Sequence, residues 1–103
     1  MNKFILVFFL LPCIAHAQDN SAQVQKYANC IKLNSVKYSK LNEPAEAIAK
    51  ASVASCAFEM QRAMESNYFW DDLSPQAKED MVNRMRSVGE NLSIKTVMDE
   101  RVK

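Results

Sequence analysis

Apolar residues recur at three- and four-residue spacing through most of the chain, and two breaks divide that pattern into three segments. From about Ser21 to Lys40, Val24, Tyr27, Ala28, Ile31, Ser35 and Tyr38 fall on one stripe, with Lys26, Lys37 and Lys40 opposite. This spacing predicts an amphipathic helix with one buried face. The second segment opens at Asn42, a suitable N-cap, with Glu43 and Pro44 in the first turn, where negative charge and a missing N–H are tolerated. It runs to about Ser66, roughly 36 Å of helix. Ala45, Ala49, Ser52, Cys56, Met60 and Ala63 line one side of it. These are mostly small, so a neighbouring helix can approach closely there.

Ser66-Asn67 breaks the pattern, and Tyr68-Phe69-Trp70-Asp71-Asp72-Leu73 forms a connection. Ser74 as N-cap and Pro75 as first helical residue then start a third helix. Met81, Val82, Met85, Val88 and Leu92 keep one phase, while Ile94, Val97 and Met98, beyond Gly89, move to another face. One continuous helix with a frayed end is the reading favoured over a bend or a new element near Gly89. The expected fold is all-α. An antiparallel helical hairpin and a third helix make one small domain over residues 18–103.

Composition supports this: one Gly and three Pro in 103 residues, with abundant Ala, Lys, Glu, Gln and Met. It also sets residues 1–17 apart. Met1-Asn2-Lys3 is a basic start, Phe4 to Leu11 is an unbroken apolar run, and Ala15-His16-Ala17 is a small-residue cleavage pattern. Residues 1–17 are therefore expected to be a cleaved secretory signal peptide, leaving a periplasmic or secreted chain. An eight-residue apolar run is too short for a bilayer, which needs about 20 residues, so no membrane insertion is expected after cleavage. Pro12 before Cys13 argues against lipidation, which requires a small residue there.

Without that segment the chain carries 12 basic and 12 acidic residues. A net charge of zero gives little affinity for phosphates, so nucleic acid is not an expected partner. The charges are unevenly spread. Residues 18–42 hold four Lys against one Asp, residues 43–80 eight acids against three bases, and residues 81–103 five bases against three acids. Complementarity between helices inside the domain is the expected use of this alternation.

Two cysteines remain, Cys30 and Cys56, and an even count in an exported chain reads as a disulfide. Cys30 lies eleven residues before Leu41 and Cys56 thirteen after Glu43, about 16 and 20 Å from a turn near Asn42. In an antiparallel hairpin they meet at nearly the same height. A redox pair would usually be Cys-x-x-Cys at a helix start, and two thiolates without His make a poor zinc site.

Catalytic chemistry is not expected, and no catalytic residue or cofactor is assigned. The only His, His16, lies in the signal segment, which removes Ser–His and Cys–His arrangements. A single Gly excludes a phosphate-binding glycine loop. The acidic pairs Asp71-Asp72 and Glu79-Asp80 are expected to face water. Two features point to binding. Met60/Met64 and Met81/Met85 are each at i, i+4 spacing, so four thioethers on facing helices could clip Cu(I), with core packing as the plainer role. Tyr68, Phe69 and Trp70 cannot all turn inward, and at least one is expected to be exposed. Either Tyr68 and Trp70 cap the open end of the core, or the aromatics anchor a partner protein.

Tyr27-Ala28-Asn29-Cys30, Glu43-Pro44-Ala45-Glu46 and Ala51 to Cys56 resemble a type of small exported protein of Gram-negative bacteria. In these a Cys-stapled helical hairpin precedes a third helix ending in basic residues, as Arg101 and Lys103 do here. The resemblance is close over residues 27–57 and loose elsewhere. Its motifs are structural, so it implies a compartment and an architecture but no site. The function expected from all this is a non-catalytic interaction protein. Its partner would be another envelope protein, which it serves as inhibitor, immunity-type partner or accessory subunit. The alternatives are a small-ligand or Cu(I)-handling protein using the Met pairs, and a stress-response chaperone, for which the only evident trigger is the carboxylates.

Overall fold

The computed structural model describes residues 21–103. The expected signal segment, with Cys13 and His16, lies outside the described residues. Within them the protein is helical and contains no strand. Helix α1 covers residues 21–38, α2 runs Ala45–Ser55, α3 runs Ala57–Glu65, and α4 runs Pro75–Arg101, with a 3-10 turn at Trp70–Asp72 before it. The chain goes along α1, back along α2 and α3, and returns along α4, which packs against α2 and touches α3.

The second predicted helix is thus two. It breaks at Cys56, whose φ of −106° and ψ of 22° leave the helical region. The Cys56 amide donates to both Ser52 and Val53 carbonyls at 3.1 Å, a shared bond typical of helix ends. The break coincides with the residue bonded to Cys30. The helix start also differs from expectation: Pro44 rather than Asn42 is the N-cap, and no side chain caps the turn. At α4 the expected start is present. Ser74 Oγ accepts a hydrogen bond from the Ala77 amide at 3.2 Å, with Pro75 as first residue.

The core has two parts. One gathers Tyr27 and Ile31 of α1, Val53 and Cys56, and Met60, Ala63 and Met64 of α3, with Met81, Val82, Met85 and Leu92 of α4 packed against them. The other is polar at its centre. Ser35 of α1, Ser52 of α2 and Ser93 of α4 are fully buried where the three helices meet. Ser35 Oγ donates to the Ile31 carbonyl at 2.6 Å, lies 2.6 Å from Ser93 Oγ and 3.5 Å from Ser52 Oγ. Hydroxyls this small let the backbones approach, and the mutual bonds offset their desolvation.

Gly89 does the same for α1 and α4. A Cβ there would drive into Tyr27 Oη and stand 3.1 Å from Val53 Cγ2. Tyr27, itself buried, donates from Oη to the Met85 carbonyl at 2.9 Å. The buried stripe of α4 passes through Gly89, Ser93 and Val97. The apparent change of face beyond Gly89 is therefore not a bend. Small residues continue the stripe, and Val88, expected on it, is exposed. Val24 near the start of α1 is exposed as well.

Candidate functional site

Cys30 and Cys56 form a disulfide with Cα atoms 6.0 Å apart, joining α1 to the junction of α2 and α3. Asn34, one turn after Cys30, donates from Nδ2 to the Cys30 carbonyl at 2.9 Å and points at both sulfurs from 3.5 and 3.4 Å. Glu59 brings a carboxylate within 4.8 Å of the two sulfurs. Both sulfurs are consumed in the bond between them, so that group offers a metal one carboxylate and no thiolate.

The four methionines converge, but on the core. Met60 and Met64 are buried in the main apolar cluster, and Met81 and Met85 pack against the same cluster. Met60 and Met81 reach the edges of two separate surface depressions rather than a shared cleft. Thioethers placed this way fill an irregular interior.

The three consecutive aromatics divide their roles. Trp70, at the start of the 3-10 turn, is half-buried against the core, with the Lys78 ammonium 5.3 Å from its ring centroid. Phe69 is 37% exposed and Tyr68 95% exposed. Their rings meet edge to face with centroids 5.3 Å apart. The capping role expected of Tyr68 and Trp70 together falls to Trp70 alone. The segment carrying the exposed rings is held from both sides. The amides of Trp70, Asp72 and Leu73 bond to the carbonyls of Asn67, Phe69 and Trp70 at 3.0 to 3.2 Å. Exposed Asp71 and Asp72 follow directly, and Glu65, Glu79 and Asp80 are exposed on the flanking helices. The result is a short, framed, acidic loop presenting two apolar rings to water.

At the other end of the hairpin Arg101 closes the molecule. Its Nε donates to the Ser39 carbonyl at 3.2 Å, and its Nη2 to the Leu41 and Glu43 carbonyls at 2.9 and 2.6 Å. One guanidinium so satisfies carbonyls of the turn between α1 and α2, a role its planar fork of donors suits. Beside that turn lies an open apolar depression of about 400 Å³, lined by Tyr38, Leu41, Ala47, Ile48 and Ala51, with Glu43 at its edge.

Sequence reasoning placed neither Arg101 nor this depression, because both depend on contacts some sixty residues apart or across two helices. The uneven charge distribution points to complementarity between helices. Among the described residues the ion pairs are Lys95–Asp99 and Lys103–Glu100, both local to the end of α4, with Glu100 partly buried and the other three side chains exposed. The lysines of α1 and the acids around the aromatic loop are not paired with each other. No helix among the described residues is long and apolar enough to cross a membrane. Comparison of the chain with protein-family models, curated proteins and solved structures finds no match.

Proposed function

We propose that this is a non-catalytic, exported interaction protein that docks onto another envelope protein through the Tyr68–Phe69 loop, acting as an inhibitor, immunity-type partner or accessory subunit. The observation that carries the reading is a tyrosine 95% exposed, braced edge-on by Phe69, on a loop fixed by Trp70 and backbone hydrogen bonds. Exposing two large rings is unfavourable in water unless another surface covers them, and tyrosine is among the residues that dominate interface energies. A pre-framed loop also loses little conformational entropy on binding. The disulfide supports export, as does the basic, apolar and small-residue pattern of residues 1–17. Framing by backbone bonds and by Trp70 means that Tyr68 and Phe69 can be truncated without touching the core.

The test is recovery of the chain from its host's envelope and native mass spectrometry. One companion polypeptide is expected with the unaltered chain and should be lost from the double variant Tyr68→Ala, Phe69→Ala. The same spectrum reports the cleavage site and the two-hydrogen deficit of the disulfide. A chain that carries no companion, or a companion retained in full by the double variant, would contradict the reading.

A further inference from the structure

We infer that the outward face of α1 lays the protein against an anionic phospholipid surface, a peripheral contact separate from the Tyr68–Phe69 loop. Three observations carry it.

The first is the make-up of that face. At 3.6 residues per turn, Lys26, Asn29, Lys32, Leu33, Val36 and Lys37 fall within an arc of about 140°. All six are exposed, and the residues that α1 buries, Tyr27, Ile31 and Ser35, lie on the opposite side. Leu33 is 73% exposed and Val36 37%, so two aliphatic side chains stand in water among three ammonium groups. Residues 21–38 contain no acid.

The second is that the charge on this face is not cancelled. Among the described residues, Lys26, Lys32 and Lys37 enter no ion pair. The Lys37 ammonium leans to 5.7 Å from the centroid of the Tyr38 ring, which leaves its charge intact. The acids of neighbouring elements stand elsewhere. Glu59 shares a shallow depression with Lys26 and Arg62, and Glu90 another with Lys50 and Arg86. Glu43 and Glu46 follow the turn beyond Lys40, while Asp99 and Glu100 are bonded to Lys95 and Lys103. Lys32, Leu33, Val36 and Lys37 therefore form the uncompensated centre of the face.

The third is what such a mixture fits. Lysines reach anionic headgroups while their methylene stems and the aliphatic residues between them enter the edge of the acyl layer. Single-stranded nucleic acid would require aromatic rings to stack on, and this arc has none. A protein interface requires a packed, shaped centre, which a convex helix bearing flexible lysines does not supply. A bilayer surface needs neither. No helix among the described residues is long and apolar enough to cross a membrane, so the contact is adsorption along the helix.

The test is co-sedimentation of the chain recovered from its host with vesicles of equal phosphatidylglycerol and phosphatidylcholine, against vesicles of phosphatidylcholine alone. Binding is expected to the first and not to the second, and should fall away in about 1 M sodium chloride, where the screening length is about 3 Å. Each lysine near an anionic surface strengthens binding by about fivefold, so the double variant Lys32→Gln, Lys37→Gln should bind about 25-fold more weakly. Leu33→Ser should cost about tenfold through lost apolar burial. The control Lys50→Gln, Lys95→Gln, which alters net charge equally on α2 and α4, should bind as the parent does. All these positions are exposed, and circular dichroism checks that each variant keeps its helices. No binding to the anionic vesicles overturns the inference, as does equal binding to both vesicle types or a control weakened as much as Lys32→Gln, Lys37→Gln. Retention on immobilised polyglutamate without binding to the anionic vesicles overturns it too, in favour of an acidic protein partner.

Discussion

Replacing Gly89 with alanine separates two opposed effects whose sizes are known. At an unobstructed helix position, alanine stabilises by about 1 kcal/mol over glycine. At Gly89 the new methyl meets Tyr27 Oη and its ring carbon, and Val53 Cγ2 at 3.1 Å. Those atoms are not free ends. Tyr27 is buried and bonded to the Met85 carbonyl, and Val53 belongs to the same core. Overpacking of this sort costs about 1–3 kcal/mol. Displacing the hydroxyl adds about 1 kcal/mol for the lost hydrogen bond, and more if the group stays buried without a partner. The net expectation is destabilisation by about 1–3 kcal/mol, or about 4–8 °C in Tm per kcal/mol for a domain of this size. Urea unfolding followed by circular dichroism should show a lower midpoint with an unchanged slope. In a Tyr27→Phe background, which removes the nearest atom, the cost of Gly89→Ala should shrink by about 1 kcal/mol or more, the signature of contacting residues. A Gly89→Ala variant more stable than the parent would refute the close α1–α4 approach. Strict additivity with Tyr27→Phe would refute the assigned contact.

The Cys30→Ala, Cys56→Ala double variant should lose about 3.5 kcal/mol, the chain-entropy value for a loop of 26 residues, measured as a drop in the urea midpoint. Ser35→Ala should destabilise by about 1–2 kcal/mol by stranding the Ser93 hydroxyl, and in a Ser93→Ala background the same change should cost distinctly less. Burial, with Glu90 adding and Arg86 opposing, raises the Tyr27 phenol above its ordinary value of 10.0. The neutral form is therefore favoured in the folded state. Its contribution is fully present below about pH 10 and is lost as pH climbs through the raised value. Midpoints measured from pH 8 to 11 should fall more steeply for the parent than for Tyr27→Phe.

Residues whose role is set by near neighbours were legible in the sequence. Ser74-Pro75 announces the start of α4 because a cap and a fixed φ act within one turn. The spacing of Cys30 and Cys56 about Asn42 suffices to place them at one height, since helix rise is constant. Small residues misled the pattern. Gly89 and Ser93 continue the buried face of α4, yet neither counts as apolar, so the stripe seemed to shift where it runs straight. The break at Cys56 left no local mark, because no Gly or Pro stands near it in the sequence. Arg101 illustrates a different limit. A basic residue near a helix end usually serves its own helix dipole, and only the return of α4 to the first turn turns it toward Ser39, Leu41 and Glu43. In the aromatic loop, composition required that some ring be exposed, and packing decided that Trp70 is drawn inward while Tyr68 stays out.

The disulfide, the buried serines and the Arg101 clamp hold a small helical body together, and the exposed rings sit beside Asp71 and Asp72. The most direct test of their role is photo-cross-linking in the living host, with a photoreactive amino acid in place of Tyr68 and, as control, in place of the exposed Val88 on α4. A defined cross-linked species at position 68, absent at position 88, is the expected result. No product at position 68, or the same products from both positions, would contradict the assignment of this loop as the docking surface.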